Sequence, residues 1–135
     1  MTTTDTYDFG DGQGLVPAHK HVNGDGWVAD TSFVSYTAYV HADAQVFKNA
    51  QVFGDAKISG HAKVFGDAQL YENAELFGNA KVCENAQVFG DAKVYGNAWV
   101  YGDTEVSGNA KVCGDAKVCG DAEVSGNDLV YGEVK

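Results

Sequence analysis

Residues 52–70 read VFGDAKISGHAKVFGDAQL, in which an aliphatic residue returns at every sixth position (Val52, Ile58, Val64, Leu70) with an alanine two residues before each one. The same register runs outward in both directions. From Val28 to Val130 every sixth residue is Val, Ile or Leu, eighteen units with no insertion. Alanine fills the fifth slot of each unit from Ala38 to Ala98 and again at Ala110, Ala116 and Ala122, with Ser32, Thr104, Asp128 and Val134 as exceptions. The third slot is mostly Gly and the fourth mostly Asp or Asn. Self-similarity of this kind identifies a solenoid before any single motif is interpreted.

Ala, any residue, Val alternates with period two, so both apolar side chains point to one side of a short strand. The Gly-Asp or Gly-Asn that follows is turn chemistry, because both tolerate positive φ. A helix is excluded: a period of six scatters successive valines off one face, and a glycine in each unit costs ~1 kcal/mol every time. Three strands and three corners make an 18-residue coil. Residues 28–135 therefore predict six coils of a triangular prism, stacked ~4.8 Å apart over ~29 Å, with Val and Ala filling a narrow interior that leaves no room for a ligand.

This pattern, an aliphatic residue with a small residue two before it, resembles the hexapeptide-repeat, left-handed parallel β-helix proteins. The resemblance covers residues 28–135 and implies an all-β, single-stranded left-handed parallel β-helix of about six triangular coils. The handedness comes from the resemblance alone, since crossovers between parallel strands are normally right-handed. The lead-in GDGWV at residues 24–28 is similar to a Gly-Gly-Trp-Val stretch in uncharacterised bacterial hexapeptide-repeat proteins. Residues 1–27 lie outside the register and combine turn residues with Leu15, Val16, Val22 and Trp27; they are expected to cap the first coil, as a solenoid requires.

Composition limits the function classes. The net charge is −10, and all nine basic residues are lysine, which argues against direct nucleic-acid binding and against phosphate-rich cofactors. The N-terminus MTTTDTYDFGDGQG carries no charged stretch followed by an apolar run and a cleavage site, and no segment nears the ~20 apolar residues of a membrane helix. Three cysteines argue against a disulfide framework and for a reducing compartment. The expectation is a cytoplasmic protein that does not contact membrane.

Residues 18 apart stack, which turns surface chemistry into columns. One corner column reads Thr31, Asn49, Asp67, Asn85, Asp103, Asp121, and another Thr37, Asp55, Asn73, Asp91, Asn109, Asn127. Asn between Asp keeps the turn while relieving repulsion between charges ~4.8 Å apart. The slot after each Val collects Phe47, Phe65, Cys83, Tyr101 and Cys119 in one column. A second holds Phe53, Tyr71 and Phe89, and a third Phe77, Tyr95, Cys113 and Tyr131. Alternation points this slot outward, so Phe47, Phe65, Phe53, Tyr71, Phe89, Phe77, Tyr95 and Tyr131, with Leu129 in an outward strand position, are interface candidates as well as rung-to-rung stabilisers.

Cys113 and Cys119 occupy neighbouring sides of the triangle, beyond the ~7 Å Cα limit of a disulfide, so they read as slot fillers. His19 and His21 form a His-Lys-His pair whose alternate side chains are the candidate metal ligands; His41 stands in the aromatic slot and His61 in a corner column.

At the other end the register runs to Lys135, Asp128 takes an inward slot, and the last coil exposes strand edges. That predicts end-to-end self-association through residues 118–135 unless Asp128 stops it. Hexapeptide-repeat acyltransferases resemble this fold but use a catalytic His, a loop protruding between coils and often a C-terminal helix, and the eighteen unbroken units supply neither the loop nor the helix. γ-class carbonic anhydrases bind zinc through three His at a subunit interface. An ice-binding array fails because the outward positions hold Gln and Lys, not Thr. The expectation is a non-enzymatic structural or protein-binding module without a cofactor: a rigid acidic rod that forms a homo-oligomer or binds a host protein as a phage-type inhibitor. The alternatives are an acyltransferase or carbonic-anhydrase-like enzyme, and an acidic nucleic-acid mimic.

Overall fold

A computed structural model describes residues 5–134. The chain opens with β1 (Asp5–Asp8) and β2 (Leu15–Lys20), an antiparallel hairpin, followed by β3 (Trp27–Ala29), β4 (Phe33–Val34) and β5 (Tyr39–Val40). From here each hexad contributes one two-residue strand whose second member is the aliphatic residue, so the eighteen units build a parallel β-solenoid of about six turns with no helix among the described residues.

Three walls result. The first continues from β3 through β6 (Gln45–Val46), β9 (Lys63–Val64), β12 (Lys81–Val82), β15 (Trp99–Val100) and β18 (Lys117–Val118) to β21 (Glu133–Val134). The second runs from β4 through β7 (Gln51–Val52), β10 (Gln69–Leu70), β13 (Gln87–Val88) and β16 (Glu105–Val106) to β19 (Glu123–Val124). The third runs from β5 through β8 (Lys57–Ile58), β11 (Glu75–Leu76), β14 (Lys93–Val94) and β17 (Lys111–Val112) to β20 (Leu129–Val130). Every pairing within the coils joins residues 18 apart except the last on the first wall, where Lys117 meets Glu133.

The backbone of each hexad is spent on the next coil. Gln51 N–H donates to the Ala68 carbonyl (3.0 Å), Phe53 N–H to Leu70 (2.8 Å) and Asp55 N–H to Glu72 (3.0 Å), and the same three bonds recur up the stack. Inside, the Val, Ile, Leu and Ala columns from Ala38 to Val118 are fully buried and form one continuous core, with Ile58, Leu70 and Leu76 its largest members. Each buried aliphatic side chain contributes roughly 1.5–3 kcal/mol, and the interior is filled by these side chains, as the repeat dictates.

The N-terminal segment lies against the first coil by two routes. β2 pairs antiparallel with β3, setting His19 opposite Val28, and Phe9, Ala18, Ala29 and Phe47 pack together outside the first wall. The hairpin thus lengthens one wall, and Val28, Ala38 and Val40 of the first coil are fully buried. The loop at 21–26 covers the third wall: Val40 N–H donates to Asn23 O (3.0 Å) and Gly26 N–H to Val40 O (2.9 Å). β4 stays at the edge of its sheet.

Candidate interaction surface

The proposed His19/His21 pair separates. β2 ends at Lys20, and the chain then turns, with Asp25 N–H donating to His21 O (3.1 Å) and His21 N–H to Gly26 O (2.8 Å). His19 stays exposed, with Nδ1 2.7 Å from Asp30 Oδ1. His21 is buried and its Nε2 donates to the Ala38 carbonyl at 2.9 Å. The alternation that suggested a shared metal stops one residue too soon. Among the described residues no group of three His, Cys, Asp or Glu is placed to hold a metal ion.

The outward slot is less exposed than alternation implies, because neighbouring rungs cover it. Phe47 is buried under Phe9, stacked at 4.8 Å, and Phe65 stacks on Phe47 at 4.9 Å. Phe47 therefore offers no free face, contrary to its reading as an exposed interface residue. Tyr71 stacks on Phe89 (4.7 Å) and Phe77 on Tyr95 (4.8 Å), all four half-buried. Phe53 is 37% exposed, and Leu129 and Tyr131 stand open at 49% and 64%. Burial, then the carboxylates of Glu105 and Glu72, push the Tyr71 hydroxyl above its ordinary pKa.

All three cysteines are free, with Cys83 and Cys113 buried in their slots. Trp99, an outward residue whose importance the repeat does not announce, donates its indole N–H to Cys83 Sγ at 3.2 Å and lies under the Lys81 ammonium. Burial raises the Cys83 thiol, an effect the Trp99 hydrogen bond partly offsets. The corner columns behave as read: Asn73 donates to Asp91 (3.3 Å), Asn85 to Asp103 (3.1 Å), and Asn97 to Asp115 (3.3 Å).

The walls differ in charge. Outward strand residues on the first wall include Lys63, Lys81 and Lys117, and on the third Lys57, Lys93 and Lys111. The second wall carries Phe33, Gln51, Gln69, Gln87, Glu105 and Glu123, with no lysine and, over its first four rungs, no charge. There Gln69 Nε2 donates to Gln51 Oε1 (3.5 Å) and the Tyr71 hydroxyl to Gln87 Oε1 (3.4 Å). Phe33 leans on Phe53 at 5.4 Å. Phe53, Tyr71 and Phe89 border the glutamine ladder, so three of the aromatics singled out by sequence meet on a strip whose outward strand residues carry no charge, with the Glu72 carboxylate at its margin on Gly90 N–H (3.1 Å).

The C-terminal coil contains a device visible only in three dimensions. Asp128 is exposed, outside the core that its slot implies, and its Oδ2 accepts the Ser125 N–H at 3.2 Å. In the coil below, the equivalent Ser107 N–H bonds Val124 O of the next coil. Asp128 therefore satisfies the donor that would extend the second wall.

Residues 86–103 match the family model described as YdcK beta solenoid repeat. The matched stretch is one 18-residue coil, the unit that the strand pairing defines independently. No curated protein and no solved structure matches the chain. Among the described residues, no helix is long and apolar enough to cross a membrane.

Proposed function

We propose that the protein is a non-enzymatic structural or protein-binding module of the hexapeptide-repeat type, acting through the neutral strip of the second wall. The observation that carries this reading is the charge asymmetry. In a chain of net charge −10, one wall presents Gln51, Gln69 and Gln87 beside Phe53, Tyr71 and Phe89 with no charged outward residue over four rungs. A flat surface of aromatic edges and amides suits contact with another protein, where aromatic residues are enriched and charges depleted at the centre. The corner carboxylates form an acidic rim that favours a partner with a basic surround and speeds its approach. A host protein held and inhibited by the rod is the use most consistent with this surface. The three free thiols fit a reducing compartment.

The test is affinity capture from a lysate of the source cell, comparing the parent with a Phe53→Ser, Phe89→Ser double variant. A stoichiometric partner retained by the parent and lost by the folded variant supports the reading. A partner held equally by both, or acyl transfer or hydration activity in the purified protein, overturns it.

A further inference from the structure

We propose that the open edge of β4 is a self-association site, at which a second copy of the chain pairs its own β4 antiparallel to this one with Val34 opposite the partner's Val34. In the first coil, Val28, Val34 and Val40 stand in equivalent positions on the three walls. Val28 is paired by His19 in β2, and the outward N–H and C=O of Val40 are taken by Asn23 and Gly26. Phe33 and Ser35 donate upward to Ala50 and Val52, so the N–H and C=O of Val34 point the other way, where no strand or bridge lies among the described residues. Around it, Phe33 is 51% and Tyr36 86% exposed. His19, Ser32, Phe33, Val34 and Tyr36 line a hollow of about 280 Å³.

A second copy is the occupant because the edge is self-complementary. One residue offers one donor and one acceptor, and an antiparallel hydrogen-bonded pair exchanges both between the two residues opposite each other. That contact is isologous and closes at two copies. Head-to-tail stacking is disfavoured at both ends. The hairpin and the 21–26 loop occupy two of the three N-terminal edges, and Ser125 N–H, the donor that would meet Val34 of the next copy, is held by Asp128. Charge agrees. The hollow's one ionisable lining group besides the Tyr36 hydroxyl is His19, paired with Asp30, whereas side-by-side packing would oppose acidic corner columns. An end contact sets most carboxylates of the two rods further apart than the ~8 Å screening length at physiological salt. Because the hairpin projects beyond β3 on the adjacent wall, the two prisms meet at an angle about the β4 pair.

This site adjoins the strip at the end of the same wall, where Phe33 leans on Phe53, but it uses the backbone edge of Val34 and not the outward faces of Gln51, Gln69 and Gln87, so the mass measurement and partner capture read the two separately. Sedimentation equilibrium on the full chain from about 1 µM to 1 mM tests it. With far fewer than the ~20–30 residues a side of a stable interface, the expected dimer is reversible, passing from 14.3 kDa to twice that mass with a midpoint of roughly 10–100 µM. Val34→Pro removes the outward N–H without touching the bonds from Phe33 and Ser35, and Phe33→Lys places a charge on each side of the two-fold axis. Each is expected to weaken the dimer at least tenfold. Phe33→Lys, judged folded by circular dichroism, decides alone if the proline variant does not fold. A parent that stays monomeric at 1 mM, or a dimer unchanged in the folded variants, overturns the proposal; a monomeric parent that still captures a partner through Phe53 and Phe89 leaves the second-wall reading standing.

Discussion

Gly108 and Gly114 occupy neighbouring corners with nearly the same left-handed backbone, φ 65° and 62°, yet differ in what a side chain would meet. A Cβ on Gly108 would lie 2.9 Å from the backbone N and 3.1 Å from the O of Gly126, one coil further on; a Cβ on Gly114 meets nothing within 4 Å. Gly114→Ala thus carries the left-handed penalty alone, about 1–2 kcal/mol. Gly108→Ala carries the same penalty plus displacement of the coil above, adding about 1–3 kcal/mol. Lys48, Glu72 and Glu84 hold φ near 60° in the same slot elsewhere, so a Cβ is tolerated where the next coil gives way, and both variants are expected to fold. Urea unfolding followed by circular dichroism should show Gly108→Ala the less stable of the two by about 1–3 kcal/mol, or roughly 3–15 °C in Tm. Equal destabilisation would refute the 18-residue stacking distance on which the corner argument rests.

Val88, fully buried between Leu70 and Val106, tests the register: Val88→Asp loses about 1.5–3 kcal/mol of burial and adds several kcal/mol for an unpaired carboxylate. The variant is therefore expected to be unfolded by circular dichroism at 25 °C, and a Tm within a few degrees of the parent would contradict the register. Thr104 sits fully buried in a slot otherwise filled mainly by alanine, and its hydroxyl has no hydrogen-bond partner. Thr104→Val should raise stability by about 1–2 kcal/mol in urea unfolding. Cys83, buried and with its thiol raised, should react with iodoacetamide at pH 8 at least tenfold more slowly than half-buried Cys119. Since a raised folded pKa favours the neutral thiol, the Cys83 contribution to stability is complete below the ordinary thiol value of about 8.5 and declines as the pH rises above it.

The repeat was legible because each hexad makes the same local decision, and eighteen agreeing decisions leave one fold. Ala56, Ile58 and Gly60 could be placed inside, inside and at a corner from spacing alone. What spacing could not supply lies where non-repeating chain meets the repeat. Phe47 reads as outward, and is; its burial comes from Phe9, 38 residues earlier and outside the register. His19 and His21 share a face only while the strand lasts, and the turn that ends it is set by backbone bonds from Asp25 and to Gly26.

Asp128 was readable as an intruder in a small-residue slot, but not as the acceptor for Ser125. Val34 looks identical to Val28 and Val40 in sequence, and only the path of the hairpin and the 21–26 loop distinguishes it. The lack of charge on the first four rungs of the second wall was present in the sequence, since Lys57, Lys63 and Lys81 all fall on the other two walls and Glu105 and Glu123 come only after Gln87. Reading it as a strip required setting Gln51, Gln69 and Gln87 beside Phe53, Tyr71 and Phe89 as one surface.

Site-specific photocrosslinking in the source cell tests the central claim most directly. A photoreactive aromatic residue replaces Gln69 on the second wall in one variant and Lys81 on the first wall in another. Contact through the neutral strip predicts a discrete protein adduct from position 69 and none from position 81; equal adducts from both positions, or an adduct from 81 alone, would contradict it.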